Sequence, residues 1–249
     1  MPRSEAQKNV RFGKVAVNGK NCRDGGQQVV VGRDVVLFRG QVVRPTGHLL
    51  IMLHKPAGVI TSTSDGGGPT VMSCIPDELN RKDLAPIGRL DKDTTGLLLL
   101  TTDGGLTHAL THPRRHVEKA YLATLSQPLP AEAVQRFAAG VELADGTLCA
   151  PALLEILSES QARVVLREGK YHQVKRMVAA CGSSVTALHR ERIGDLWLDP
   201  ALQPGMARAV SLEELALLGL AWPGTDGAEL AETTGESAED DGVGDGLPQ

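Results

Sequence analysis

From His48 onward the chain is punctuated by short apolar runs: Leu49 to Leu53, Gly96 to Leu100, Tyr121 to Leu125, Leu153 to Leu157 and Val164 to Leu166, each bounded by Gly, Pro or Asp. Runs this short, closed by turn-forming residues, fit core strands better than helices. Two or three helical stretches separate them, so residues 48–223 are expected to form an α+β domain around a mixed, largely antiparallel sheet. At 249 residues and 41% hydrophobic, the chain has room for one such core plus a small accessory unit.

Residues 1–45 have a different texture. Ser4 to Phe12 predicts a short helix stopped by Gly13, and Val15-Ala16-Val17 predicts a strand entering a type I′ hairpin at Asn18-Gly19. The unit ends near Arg44-Pro45-Thr46-Gly47. It holds nine Lys or Arg against three acids, a concentration of charge that suits either a polyanionic partner or simply a solvated face. At the other end, residues 224–249 hold eight of the chain's 30 acids and none of its 26 Lys and Arg, which turns a net charge of −4 into +4 for the rest. That segment has almost no large apolar residue and is expected to be a disordered acidic tail, since it cannot bury enough to offset its ordering entropy.

Several function classes lose support. Cys22, Cys74, Cys149 and Cys181 are too widely spaced for a CxxC zinc or redox motif and too few for a disulfide scaffold, so a reducing cytoplasm is the expected location. No apolar stretch approaches the roughly 20 residues that cross a bilayer. Neither G-x-x-x-x-G-K-[ST] nor G-x-G-x-x-G occurs. His108, His112 and His116 recur at a spacing that aligns zinc ligands on a helix, but Pro113 interrupts that helix and Arg114 and Arg115 would place positive charge beside the ion. No metal is expected.

Three segments carry chemistry. Gly88-Arg89-Leu90-Asp91-Lys92-Asp93-Thr94-Thr95-Gly96 sets charge directly before an apolar run. If residues 88–91 are extended, Arg89 and Asp91 point to one face and Leu90 to the other. An ordinary polar turn entering a core strand would read the same way. In the segment from Arg167 to Gly182, which contains Glu168-Gly169-Lys170-Tyr171-His172-Gln173-Val174-Lys175-Arg176-Met177, the apolar residues Val174, Met177, Val178 and Cys181 mark one face of a helix ended by Gly182. Its other side presents His172, Lys175 and Arg176 together, able to hold a carboxylate or to contact a phosphate. Between these lies Glu118-Lys119-Ala120-Tyr121, where extended geometry puts Lys119 and Tyr121 on one face, in the core or in a site.

In order and spacing, GRLDKDTTGLLLLTTDG, EKAYL, EGKYHQVKRM and LHRERIG resemble the RsuA and RluB/E/F family of rRNA pseudouridine synthases, from about His54-Lys55-Pro56-Ala57-Gly58 to Gly205. Within it, Asp93 to Gly96, Glu118 to Tyr121 and Leu188 to Gly194 look more like the RsuA branch, which acts on small-subunit rRNA. Residues 1–45 resemble the RNA-binding domain named after ribosomal protein S-four. That domain normally opens with a further helix before the one holding Ser4 to Gln7, so the expectation is either a unit lacking its first helix or a start placed too late.

The resemblance makes Asp91 the catalytic aspartate, Lys175 its basic partner and Tyr121 the aromatic lying against the target base. Arg89 would fill the gap left by the extruded nucleotide, and Leu188 would line the pocket. His172 and Arg176, with Arg11, Lys14 and Lys20 of the N-terminal unit, are further candidate RNA contacts. The implied reaction is isomerisation of one uridine in 16S rRNA, without a small-molecule cofactor, by a cytoplasmic monomer acting on a partly assembled small-subunit particle. Competing expectations are a large-subunit target, a non-catalytic ribosome-assembly factor and a metal-dependent RNA hydrolase. The last would need clustered carboxylates or histidines, for which Asp91 and Asp93 alone are weak support.

Overall fold

The computed structural model describes residues 3–29, 34–43, 48–64, 67–112 and 115–220. Helix α1 (Arg3–Arg11) leads into a four-stranded antiparallel sheet of β1 (Val15–Val17), β2 (Lys20–Cys22), β3 (Val36–Phe38) and β4 (Gln41–Val42), in the order β2-β1-β3-β4. The β1–β2 connection is the expected tight turn, with positive φ at both Asn18 (51°) and Gly19 (76°), the pairing a type I′ hairpin requires. Residues 44–47 and the acidic segment 224–249 lie outside the described residues.

The larger sheet has nine strands. Its path is β13 (Ala207–Ala209), β5 (Leu50–Lys55), β7 (Thr95–Thr101), β11 (Val185–Ile193), β8 (Lys119–Leu125), β10 (Gln161–Leu166) and β9 (Leu153–Ser158). Strand β6 (Ala85–Pro86) pairs with β7, and β12 (Leu196–Trp197) with β11. Every pairing is antiparallel except β7 with β11. The α+β reading therefore holds, with a richer set of helices than two or three: α2 (Gly104–Thr111), α3 (Glu132–Ala139), α4 (Gln173–Ala180), α5 (Leu212–Ala216) and a 3-10 turn at Val71–Cys74. Most are two turns long, too short for their apolar periodicity to stand out from the strands around them.

The sheet is covered on both faces, which is why β5 and β7 read as unbroken apolar runs rather than alternating ones. Ile51, Leu53, Leu98 and Leu100 face one cluster with Leu90, Tyr121, Leu188 and α4's Val174, Met177 and Val178. Leu50, Met52, Leu97 and Leu99 face the other, capped by Leu110 of α2, Leu196 and Leu215 of α5. Full burial of each such side chain contributes about 1.5–3 kcal/mol.

The lone parallel pairing depends on one glycine. Gly96 opposes Arg190 with φ of +106°, and a Cβ there would stand 2.3 Å from the Arg190 carbonyl oxygen and 2.6 Å from its amide nitrogen. Only a residue without a side chain lets β11 approach β7 this closely. The approach brings the turn before β7 beside the Leu188–Arg190 stretch. It joins segments nearly a hundred positions apart in the chain.

Candidate active site

Residues 88–94 form the connection between β6 and β7, and the segment following β5 clamps it. Thr61 Oγ1 donates to the Leu90 carbonyl (2.8 Å) and accepts from the Leu90 amide (3.2 Å). The Gly58 amide donates to the Lys92 carbonyl at 2.8 Å, and the Thr94 amide to that of Asp91 at 3.1 Å. Beneath the turn, the Lys55 ammonium donates to the carbonyls of Thr94 (2.9 Å), Pro56 (3.0 Å) and Lys92 (3.3 Å). The side chain is fully buried. Burial pushes its pKa down to about 8, against the pull of Asp93 and Asp91. Arg89 and Asp91 do point to the outside while Leu90 joins the core, as expected, but in a clamped turn rather than a strand.

A pocket of about 100 Å³ opens over this turn, lined among others by Arg89, Asp91, Tyr121, His172, Lys175 and Leu188. One water needs only ~10–15 Å³ of such space, so the pocket takes a group of several heavy atoms. Tyr121 on β8 and Leu188 on β11 come from the sheet, and His172 and Lys175 from the start of α4. Six of the residues singled out in the sequence thus converge on one cleft.

Helix α4 reaches the carboxylates at its first turn. Lys175 Nζ donates to both oxygens of Asp93, at 2.7 and 2.9 Å, and stands 3.4 Å from Asp91 Oδ2. Burial works against the Lys175 charge, but the Asp93 hydrogen bond and the charges of Asp93 and Asp91 outweigh it and raise its pKa. In return, the Lys175 hydrogen bond holds the Asp93 carboxyl below its ordinary range. His172 caps α4 with a left-handed backbone (φ 47°, ψ 35°), a conformation costing a non-glycine residue roughly 1–3 kcal/mol. That turn sets its Nε2 3.4 Å from Asp91 Oδ1.

The pairing of Lys175 with Asp91 therefore has a third member, Asp93, which is the closer partner. The expected grouping of His172, Lys175 and Arg176 is also revised, because Arg176 turns aside to pair with Asp145 and does not line the pocket. Arg11, Lys14 and Lys20 are exposed on the N-terminal unit.

Arg190 lies beneath Tyr121, and sequence reading passed over it. It is 3% exposed, its Nε donates to the Leu97 carbonyl at 2.7 Å, and its Nη1 lies 3.4 Å from the Tyr121 hydroxyl. The guanidinium carbon stands 5.9 Å from the tyrosine ring centroid. The β11–β8 register shifts between Arg190 and Arg192, a bulge of the kind that re-aims side chains near functional sites. The sequence did carry a signal: Arg190 is two residues after Leu188 and so falls on the same inward face. Among the described residues, no group of three or more His, Cys, Asp or Glu is placed to hold a metal ion.

Residues 49–180 match the model of a family described as RNA pseudouridylate synthase. Ribosomal small subunit pseudouridine synthase A of Escherichia coli K12 is 41% identical over 215 residues, spanning 86% of this chain and 93% of that protein. The protein of the same name from Vibrio cholerae is 42% identical over 86% of this chain and 92% of its own length. A crystal structure of a pseudouridylate synthase superposes with a TM-score of 0.65 at 37% identity, covering 88% of this chain and 94% of the other.

Proposed function

This chain belongs to the RNA pseudouridylate synthase family, and from that premise we propose that it isomerises a uridine of small-subunit 16S ribosomal RNA, with Asp91 as the carboxylate that acts on the nucleotide. The observation that carries the reading is the convergence of Asp91, Tyr121, Lys175, Arg89 and Leu188 on one pocket. They come from four separate parts of the chain, and only the fold assembles them. The names of its small-subunit relatives support the choice of RNA.

The reaction breaks the bond between the sugar's anomeric carbon and ring nitrogen one of uracil. The base turns, the sugar carbon bonds to ring carbon five, that carbon loses its proton, and nitrogen one gains one. Nothing is oxidised and no group departs. What the protein must supply is an ionised carboxylate, to attack as a nucleophile or to remove a sugar proton, and a pocket that keeps the detached ring in place. The Lys175 ammonium, 3.4 Å from Asp91 Oδ2, sets an opposite charge beside that carboxylate. Tyr121, wedged between Arg190 and the pocket, offers a ring face to the base. The target atom is inaccessible in a stacked helix, so the uridine must flip out, and Arg89, exposed and lining the pocket, would occupy its place.

The basic unit at residues 3–43 supplies the charge that draws the rRNA of a partly assembled small-subunit particle, with the enzyme acting as a cytoplasmic monomer. The test is to incubate the protein separately with small- and large-subunit rRNA and their assembly intermediates, then map pseudouridine at nucleotide resolution, with Asp91→Asn in parallel. The expected result is one modified small-subunit position, with turnover by Asp91→Asn lower by at least ~10²-fold. Modification confined to large-subunit RNA would overturn the choice of RNA. Turnover by Asp91→Asn within about tenfold of wild type, a barrier change of only ~1.4 kcal/mol, would overturn the role of Asp91.

A further inference from the structure

Tyr171 is 76% exposed, more than any other large hydrophobic side chain among the described residues. It adjoins the pocket without lining it, between Lys170 and His172, which both do. One ring face lies on the His172 imidazole, with centroids 3.8 Å apart and planes within 18°, which leaves the other to solvent. His172 in turn reaches Asp91. An ordered stack therefore runs from the catalytic carboxylate out to a bare aromatic face.

The segment that carries the ring is pinned. The Glu168 carboxylate accepts from the Ala150 amide at 2.9 Å and from Gln173 Nε2 at 2.5 Å, and it pairs with Lys170. Gln173 is buried, and its Oε1 accepts from the Lys170 amide at 2.9 Å. An aromatic ring displayed on a loop this constrained loses little freedom when something packs on it. The surrounding charge bears on what that is: Lys170 and Lys175 at the same mouth are taken up by Glu168, Asp93 and Asp91, which leaves exposed Arg89 as the lining cation without a carboxylate partner among the described residues, available to RNA.

We infer that Tyr171 is a base-stacking platform for the nucleotide next to the flipped uridine. The inference rests on the proposed rRNA pseudouridylation and adds a second RNA subsite to it. Extruding one base leaves its neighbours short of a stacking partner. Arg89 takes the vacated place in the RNA, while Tyr171 receives a neighbour's ring from outside. Every base has a π-face, so the subsite selects an unstacked nucleotide and not a particular base.

The test uses the full chain and a synthetic 16S fragment around the mapped uridine, intact or with an abasic residue at each neighbouring position in turn. On intact RNA, Tyr171→Ala should raise Kd and KM by roughly 5- to 150-fold, the range that losing one stacked base gives. Tyr171→Phe should stay close to wild type, Tyr171→Leu should fall with Ala, and Tm should be unchanged in all three. The loss should vanish on the one abasic RNA that lacks the stacked neighbour, a coupling no purely structural role of Tyr171 would show. Tyr171→Ala binding like wild type, or losing the same factor on every abasic RNA, overturns the platform while wild-type turnover leaves the rRNA reading intact. Absence of pseudouridine from all rRNA treated with wild-type protein overturns both.

Discussion

The two halves of the molecule use positive charge in opposite ways. In the catalytic half, Lys55 and Arg190 are buried and Lys175 is held between two carboxylates, so each cation fixes the position of a named neighbour. In residues 3–43, Arg11, Lys14 and Lys20 are exposed, and the only hydrophobic residues buried among those described are Val17 and Cys22. Buried charge is screened little by salt and acts over one contact. Exposed charge is screened within about 8–10 Å at physiological ionic strength and acts as a summed field. On the proposed function, the same residue types would supply geometry in one place and attraction in the other.

The largest effect that would break this contrast is at Lys175. Lys175→Met keeps most of the stem and removes the ammonium that neutralises Asp91 and Asp93. The turnover rate should fall by ~10²-fold or more, the scale of losing one preorganised electrostatic contact. The affinity for RNA and its dependence on salt should hardly move. A rate within about tenfold of wild type, ~1.4 kcal/mol in barrier, would show that the cation is ornamental to the reaction. So would a loss confined to affinity at low salt.

The opposite pattern is expected of Arg11, Lys14 and Lys20 replaced together by Ala. The chemical step on bound RNA should be unchanged, while affinity falls and the slope of log K against log salt shrinks by roughly 2, since each phosphate contact on single-stranded RNA contributes about 0.7. An unchanged slope would show that this unit does not touch phosphates and would remove the exposed half of the comparison.

How much of this was legible in the sequence follows the same division. The N-terminal hairpin was readable because Asn18-Gly19 admits few other backbones. Helix α4 was readable from Val174, Met177, Val178 and Cys181, with Gly182 as its stop. Asp91, Tyr121, Lys175 and Leu188 came from resemblance, and the fold does gather them. The hold of Asp93 on Lys175 was hidden, as was the place of Arg190 under Tyr121. Both depend on β11 lying parallel to β7, and local periodicity says nothing about which distant strands pair. Lys55 was hidden for a different reason: a lysine is expected at the surface, and only the three carbonyls curled around it explain why this one is not.

The smallest expected effect isolates that buried lysine from every exposed one. Lys55 titrates at about 8 in the native state and near 10.4 in an unfolded chain. Below about pH 8 both states hold the proton, and the contribution of Lys55 to stability does not vary. Between about pH 8 and 10 the native state has lost a proton that the unfolded state keeps, so stability rises with pH by up to ~1.4 kcal/mol per unit. Lys55→Met lacks this group and shares all the others. The Tm of wild type relative to Lys55→Met should therefore climb by several degrees from pH 7.5 to 9.5, at roughly 2–4 °C per kcal/mol for a domain of this size. The climb should persist in high salt, where the binding difference caused by the N-terminal substitutions disappears. A Tm gap that stays flat or shrinks as pH rises would mean that the fold does not disfavour the Lys55 charge, and burial would no longer set this lysine apart from the exposed ones.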